Sequence, residues 1–359
     1  MAKNTYHKEL NTSLNFKLRE LLVLLPDFCD EYFVGISGLT QIKTRIAYAF
    51  DLRIFFHYLF TEHPLFSDRK SAKDFQLSDL EDITASDIEK FSEYLSAYSL
   101  PYYKNSDKII TYTNSAKGKM RKLSALRSFY KYFFKKERIE KNPAVLVDLP
   151  KLKDHAIIRL EPNESADLLD EIEEGKELTK RQKIFHEKNG DRDLAVICLL
   201  LGTGIRISEC VGLNISDFDF RNGSFRIVRK GGDEAILYLP EEVSEILTSY
   251  LKNVRSAVTA ANDADSDAMF LSLRKTRLTV SSIEKMLKKY SKTVIPLKNI
   301  SPHKLRSTFG TNLYRETGDI YLVADVLGHK DVNTTKKHYA AIDEEHRRIA
   351  ARAIKLRKD

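Results

Sequence analysis

Long apolar runs are scarce in this chain. The longest, "LLVLL" at 21–25 and "LAVICLLLGTG" at 194–204, fall short of the roughly 18 to 20 residues that a membrane span needs. The N-terminus is polar and reads as lacking a signal peptide. Cysteine is sparse: Cys29, Cys198 and Cys210 lie far apart, with no CxxC pair and no Cys/His metal spacing. Reduced, cytoplasmic and free of structural zinc is the expectation. Internal repeats and low-complexity tracts are missing. So is a strong excess of one charge, since 59 Lys and Arg face 51 Asp and Glu for a net +8. Such a balance suits a polyanionic partner without demanding one.

Several familiar fingerprints are absent too. "GTG" at 202–204 has Ile207 where a dinucleotide-binding loop would carry its third glycine. There is no G-x-S-x-G elbow for a serine nucleophile, and no cluster of carboxylates for magnesium stands beside the candidate residues named below.

What is present fits about two domains, because 359 residues exceed the roughly 100 to 200 typical of one. The first half reads as helices. Residues 39–60 repeat apolar positions at helical spacing, with Lys43 on the other side. "TASDIEKFSEYLSAY" opens on a capping pair, Thr84 and Asp87, and carries Ile88, Phe91 and Leu95 as a stripe through the segment. The helix from 115 turns Met120, Leu123, Leu126, Tyr130 and Phe133 inward. Lys117, Lys119, Arg121, Lys122, Arg127, Lys131 and Lys135 are then expected on its surface, making it the most basic long segment.

Pro143 and Pro150 place a boundary near 150–158. Beyond it, "RDLAVICLLLGTG" reads as a buried helix stopped by Gly202 and Gly204. "SFRIVRKGGDEAILYLP" alternates as strands, preceded by the hairpin signal Asn222-Gly223 and split by Gly231-Gly232. Helices resume near 242, and Ser301-Pro302 is a helix start. The expected fold is mainly α: a helical N-terminal domain, then a mixed α+β domain of helices with a small antiparallel sheet.

Five short features of the second domain could carry chemistry: "GTGIRISE" (Arg206, Glu209), "VRKGG" (Lys230), "SPHKLRSTF" (His303, Arg306), "LGH" (His329) and "KKHYA" (Tyr339). Each alone has a plain explanation. Arg206 and Glu209 can pair across one helical turn, Lys230 can sit at a hairpin tip, and His329 can offset a helix dipole. Together they describe a phosphodiester site. Two arginines, two histidines and a lysine can hold a phosphate whose charge rises during attack, and guanidinium forks match its oxygens. Tyrosine is then the nucleophile; its phenol pKa of about 10 calls for a nearby base, which His303 can be.

The ordered set Arg, Lys, His-x-x-Arg, Leu-Gly-His, Tyr, as it stands in "GTGIRISE", "RKGG", "SPHKLRSTFGTNL" and "VADVLGHKDVNTTKKHYA", resembles the tyrosine recombinase (phage integrase) family. The resemblance implies a helical extension at 1–35, a helical core-binding domain at 36–150, a linker at 151–158, a catalytic domain at 159–345 and a protomer-contacting tail helix at 346–359. It implies that Tyr339 forms a 3′-phosphotyrosyl link while Arg206 and Arg306 clamp the phosphate. His303 would assist the phenol, His329 would hydrogen-bond the phosphate, Lys230 would be general acid, and Glu209 would support the site from behind. No cofactor and no metal are implied. The implied partners are double-stranded DNA with paired recombination sites, further copies of the chain in a homotetramer, and accessory DNA-bending proteins. Lys43, Lys119, Arg121, Lys122 and Arg127 are the candidate DNA-binding residues. One departure stands out: Asp233, Glu234 and Ala235 follow the hairpin glycines where members often carry basic residues.

The implied reaction is site-specific recombination through a Holliday junction, with integration or excision of a bacterial mobile element as the first reading. Xer-like resolution of chromosome or plasmid dimers is the second, and a non-catalytic DNA-binding protein the reading of another class.

Overall fold

A computed structural model describes residues 5–103, 105–152, 158–229 and 232–329, with Val332. The chain divides into two compact units, Met1–Asp154 and His155–Asp359.

In the first unit α1 (Thr5–Leu22), α2 (Cys29–Gly35), α3 (Ile42–Glu62) and α4 (Ala85–Tyr94) precede a hairpin, β1 (Ala97–Tyr102) with β2 (Asn105–Thr113), and then α5 (Ala116–Lys135). α5 forms where expected because Leu123, Leu126, Phe129, Tyr130 and Phe133 recur at spacings of three and four, and all five are buried. They join Tyr32 and Phe33 of α2 and Phe55 and Phe56 of α3 in an aromatic core. Phe129 meets Tyr32 edge-on with ring centroids 5.2 Å apart, the arrangement aromatic quadrupoles favour. α4 starts on the capping box of Thr84 and Asp87.

The hairpin departs from the all-helical expectation. α4 stops at Tyr94, and from Ala97 the period changes to two: Tyr98 and Leu100 are buried, Ala97 and Ser99 exposed. The partner strand supplies the β-branched run Ile109-Ile110-Thr111. Tyr98 stacks with both Tyr94 and Tyr112, each at 5.4 Å between ring centroids. A helix carried on through Tyr98 would lose the cross-strand pair.

The second unit opens with α6 (Pro162–Glu174), α7 (Lys180–Thr203) and α8 (Ile207–Gly212). An antiparallel sheet follows in the order β3 (Phe218–Asp219), β4 (Ser224–Val228), β5 (Glu234–Tyr238). α9 (Glu241–Asn253), α10 (Val280–Val294), α11 (Pro302–Thr317) and α12 (Ile320–Leu327) complete the described part. Phe225 and Ile227 of β4 face the core, as the alternation requires. α7 is the central helix, with Ala195, Val196, Ile197, Leu199 and Leu200 all buried. It starts at a Thr179/Gln182 capping box, well before its apolar run, so its polar first half is helical too. It also runs through Gly202, which was expected to help stop it. A Cβ at 202 would lie 2.5 Å from Val243 Cγ2, so that glycine serves close helix packing. The stop comes at Gly204, whose φ of 63° is left-handed. Among the described residues no helix is long and apolar enough to cross a membrane.

α12 has its own apolar cluster. Val323 and Leu327 pack with Tyr314 in a small cluster of their own, separate from the main core around α7.

Candidate active site

The left-handed turn at Gly204 and the buried Ile205 set the chain up for α8, with Arg206 extended at its N-cap. Glu209 closes a capping box there. Its Oε2 accepts the Arg206 N–H at 2.7 Å and its Oε1 accepts Arg206 Nη1 at 2.8 Å. Glu209 is buried, so this single carboxylate both caps the helix and orients the guanidinium. Next to it, burial first and the Glu209 charge second push the Cys210 thiol up to about 12. It stays a neutral, inert thiol.

Arg306 lies one turn along α11 from His303. Ser301 and Pro302 start this helix, Leu305 anchors it in the core, and His303 is exposed. Arg306 is only 6% exposed. Its Nη1 donates to Gly204 O at 2.7 Å, and its Nη2 donates to Leu327 O. One guanidinium thereby joins the C-terminal ends of α7 and α12. Arg206 Nη2 donates to the adjacent carbonyl, Gly328 O, at 3.1 Å.

α12 ends at Gly328 with φ 63°, and the turn is closed by Gly328 N–H to Asp325 O and His329 N–H to Ala324 O. His329, half-buried, follows directly. The carbonyl end of a helix carries partial negative charge, and three arginines converge on it. Two were expected. The third is Arg229, whose Nη2 donates to Asp325 O at 3.2 Å and Val326 O at 3.1 Å. Nothing in "VRKGG" distinguishes it from an exposed hairpin arginine.

The structure therefore brings Arg206, Glu209, Arg306 and the turn bearing His329 together, with Arg229 added. Lys230, Tyr339 and the tail at 346–359 lie outside the described residues.

In the first unit Lys43 is exposed on the first turn of α3. Of the other DNA-binding candidates Lys119, Lys122 and Arg127 differ from the expectation of a solvated basic face, whereas Arg121 is exposed but paired. Lys122 is buried, its ammonium donating to Asn114 Oδ1 at 2.7 Å, and burial pulls its pKa below the usual value against the opposing charge of Asp51. Arg121 forks onto buried Asp51. Arg127 donates to the carbonyls of Ala144 and Val147, and Lys119 donates to Ser96 Oγ at 2.6 Å. These cations satisfy acceptors within the unit, and the exposed ones on α5 are Lys117, Arg121, Lys131 and Lys135.

Comparison with known proteins gives the class. The profile of the phage integrase family matches residues 159–346, and the chain belongs to this family, the tyrosine recombinases, which cut and rejoin DNA site-specifically. Tyrosine recombinase XerC of Caldanaerobacter subterraneus subsp. tengcongensis is 32% identical over 332 residues, covering 91% of this chain and 85% of its own. Tyrosine recombinase XerS of Streptococcus mutans is 31% identical, covering 92% of this chain and 96% of its own. The crystal structure of XerH site-specific recombinase bound to palindromic difH substrate, a post-cleavage complex, shares the fold. It aligns with a TM-score of 0.59 at 23% identity over 87% of this chain and 79% of that one.

Proposed function

We propose that Tyr339 is the nucleophile of this recombinase and that Arg206, Lys230, His303, Arg306 and His329 serve it. The phenol oxygen bonds to the scissile phosphorus as the bond to the 5′ oxygen breaks. His303 receives the phenol proton, and Lys230 gives a proton to the leaving 5′ oxygen. Arg206 and Arg306 hold the non-bridging oxygens, where negative charge rises in the transition state. His329 hydrogen-bonds the same phosphate, and Glu209 aims Arg206. Attack by the 5′ hydroxyl of a second duplex on the phosphotyrosyl bond reverses the chemistry and joins exchanged strands. Since the phosphodiester energy is kept in the covalent link, no nucleotide cofactor is required.

The observation that carries this reading is the placing of Arg206 and Arg306 on the adjacent carbonyls of Gly328 and Leu327, immediately before His329. Residues from three separated stretches of sequence are thereby gathered around one point. We further propose that four copies assemble on two DNA sites, that the tail at 346–359 couples neighbouring copies, and that exchange passes through a Holliday junction. Of the two roles, resolution of chromosome or plasmid dimers is the better supported, because similarity to XerC and XerS proteins runs over nearly the whole chain.

The test is a covalent trap. Nicked fragments of the source genome are incubated with the protein, denatured in detergent, and the DNA retained on protein is sequenced. Adducts with the native chain and none with Tyr339→Phe are expected, mapping to one chromosomal site. Adducts at the ends of a mobile element would instead favour integration, and tight binding without adducts would favour a non-catalytic DNA-binding protein.

A further inference from the structure

Arg229 stands inside "VRKGG", where Lys230 is the residue singled out, yet it ties two parts of the site together. Its main chain closes the hairpin: the N–H donates to Asp233 O at 2.7 Å, and the carbonyl accepts from Gly232 N–H at 3.0 Å. Its side chain leaves the hairpin and lies across the end of α12, on Asp325 O and Val326 O. The fit leaves no spare room. A Cβ at position 328 would lie 1.3 Å from Arg229 Nη1.

The three guanidiniums divide the carbonyls of this helix end between them. Arg229 takes those of Asp325 and Val326, Arg306 that of Leu327, and Arg206 that of Gly328. Since α12 rests on a small apolar cluster separate from the main core, these polar ties do much to fix where its end, and so His329, stands. Without Arg229 the Val326 carbonyl loses this donor and Asp325 O keeps the Gly328 N–H, and among the described residues the Nη groups of Arg206 and Arg306, on the next two carbonyls, are placed to replace it. Both the turn bearing His329 and the aim of the two arginines would then shift.

We infer that Arg229 is a positioning residue for strand cleavage, fixing the end of α12 against the hairpin so that Arg206, Arg306 and His329 meet one phosphate. This rests on the roles proposed above for those three residues. A displacement near 1 Å in an active site can cost about 100-fold in rate, so the effect is expected in the chemical step and not in DNA affinity.

The experiment uses the full chain and a nicked duplex carrying the adduct-forming sequence recovered in the trap. DNA affinity, the single-turnover rate of adduct formation at saturating protein, and thermal unfolding are measured for the native chain, Arg229→Ala, Arg229→Lys and Arg306→Ala. Arg229→Ala is expected to bind within about 2-fold of the native chain while its saturated rate falls roughly 10- to 100-fold. Arg229→Lys, which keeps the charge but offers its donors from a single nitrogen, should fall between the two. A saturated rate for Arg229→Ala within about 2-fold of native, or a loss confined to affinity, would overturn the inference. Should Arg229→Ala fail to fold, Arg229→Lys decides in the same way. If Arg306→Ala abolishes cleavage while Arg229→Ala is fully active, this inference alone fails; if Arg306→Ala also cleaves at the native rate, the proposed function fails with it.

Discussion

Arg121 grips Asp51 with both ends of its guanidinium, Nη1 to Oδ2 and Nη2 to Oδ1, the latter at 2.7 Å, although Asp51 is almost fully buried in the first unit. Burial is the largest influence on that carboxyl and pushes it up. Arg121 and Lys122 pull it down, and the balance raises it to about 6. The desolvation of the charge therefore outweighs the ion pair.

The sign of the pH dependence follows. Asp51 binds its proton more tightly folded than unfolded, where its value is near 3.8. Its contribution to stability is full below about pH 4 and is lost as pH rises through about 6, by about 3 kcal/mol in all. Urea unfolding of the native chain and Asp51→Asn across pH 4 to 7 checks this. The native chain should lose stability relative to the variant over that window, and parallel curves would contradict it.

Lys122→Ala should act on folding. It removes a buried cation from the Asn114 carbonyl oxygen and should cost about 1.5 to 3 kcal/mol. The salt dependence of DNA binding should hardly change. Replacing exposed Lys117 or Lys131 should do the reverse, lowering the slope of log affinity against log salt by about 0.9 for each phosphate that is no longer neutralised. Salt titrations of binding beside thermal melts separate the two classes.

Gly328→Ala should be more harmful with Arg229 present than without it. The left-handed backbone costs an alanine about 1 to 2 kcal/mol in either background. Only in the presence of the Arg229 side chain does the new methyl also collide with it. A double-mutant cycle on unfolding free energy reads the difference, and equal losses in both backgrounds would mean that Arg229 moves aside freely.

Glu209→Ala should slow adduct formation at least about 10-fold and cost about 1 kcal/mol from the lost cap. Glu209→Gln keeps an acceptor for the Arg206 N–H but loses the charge, so it should preserve stability better than activity. Cleavage by Glu209→Ala at the native rate would show that Arg206 is aimed by other means.

Sequence signals are legible where a local cause operates. The Thr84 and Ser301-Pro302 starts, the Asn222-Gly223 turn and the Arg206/Glu209 pair all depend on residues within four positions of one another. Lys122 is misplaced by a sequence reading because a basic helix suggests a solvated face. Its spacing of four from Leu126 and seven from Phe129 puts it beside the apolar stripe, and its acceptor comes from Asn114, outside the helix. The first-unit hairpin is hidden because Tyr98, three residues after Leu95, continues the helical stripe of Phe91 and Leu95 as readily as it suits a strand face; the pairing that decides between them lies across the turn. Arg229 cannot be found from sequence, since its acceptors are 96 and 97 residues away.

Arg306 spans from Gly204 O to Leu327 O, and this limits what mutagenesis can say about it. A lysine reaches in one direction from a single nitrogen and would leave one of the two helix ends without that donor. The side chain proposed to hold the phosphate is also a rivet of the fold, so an inactive variant at 306 does not by itself identify a chemical role. Tyr339→Phe removes a single oxygen atom that is neither donor nor acceptor in these two hydrogen bonds, which makes it the cleaner test of the proposed chemistry.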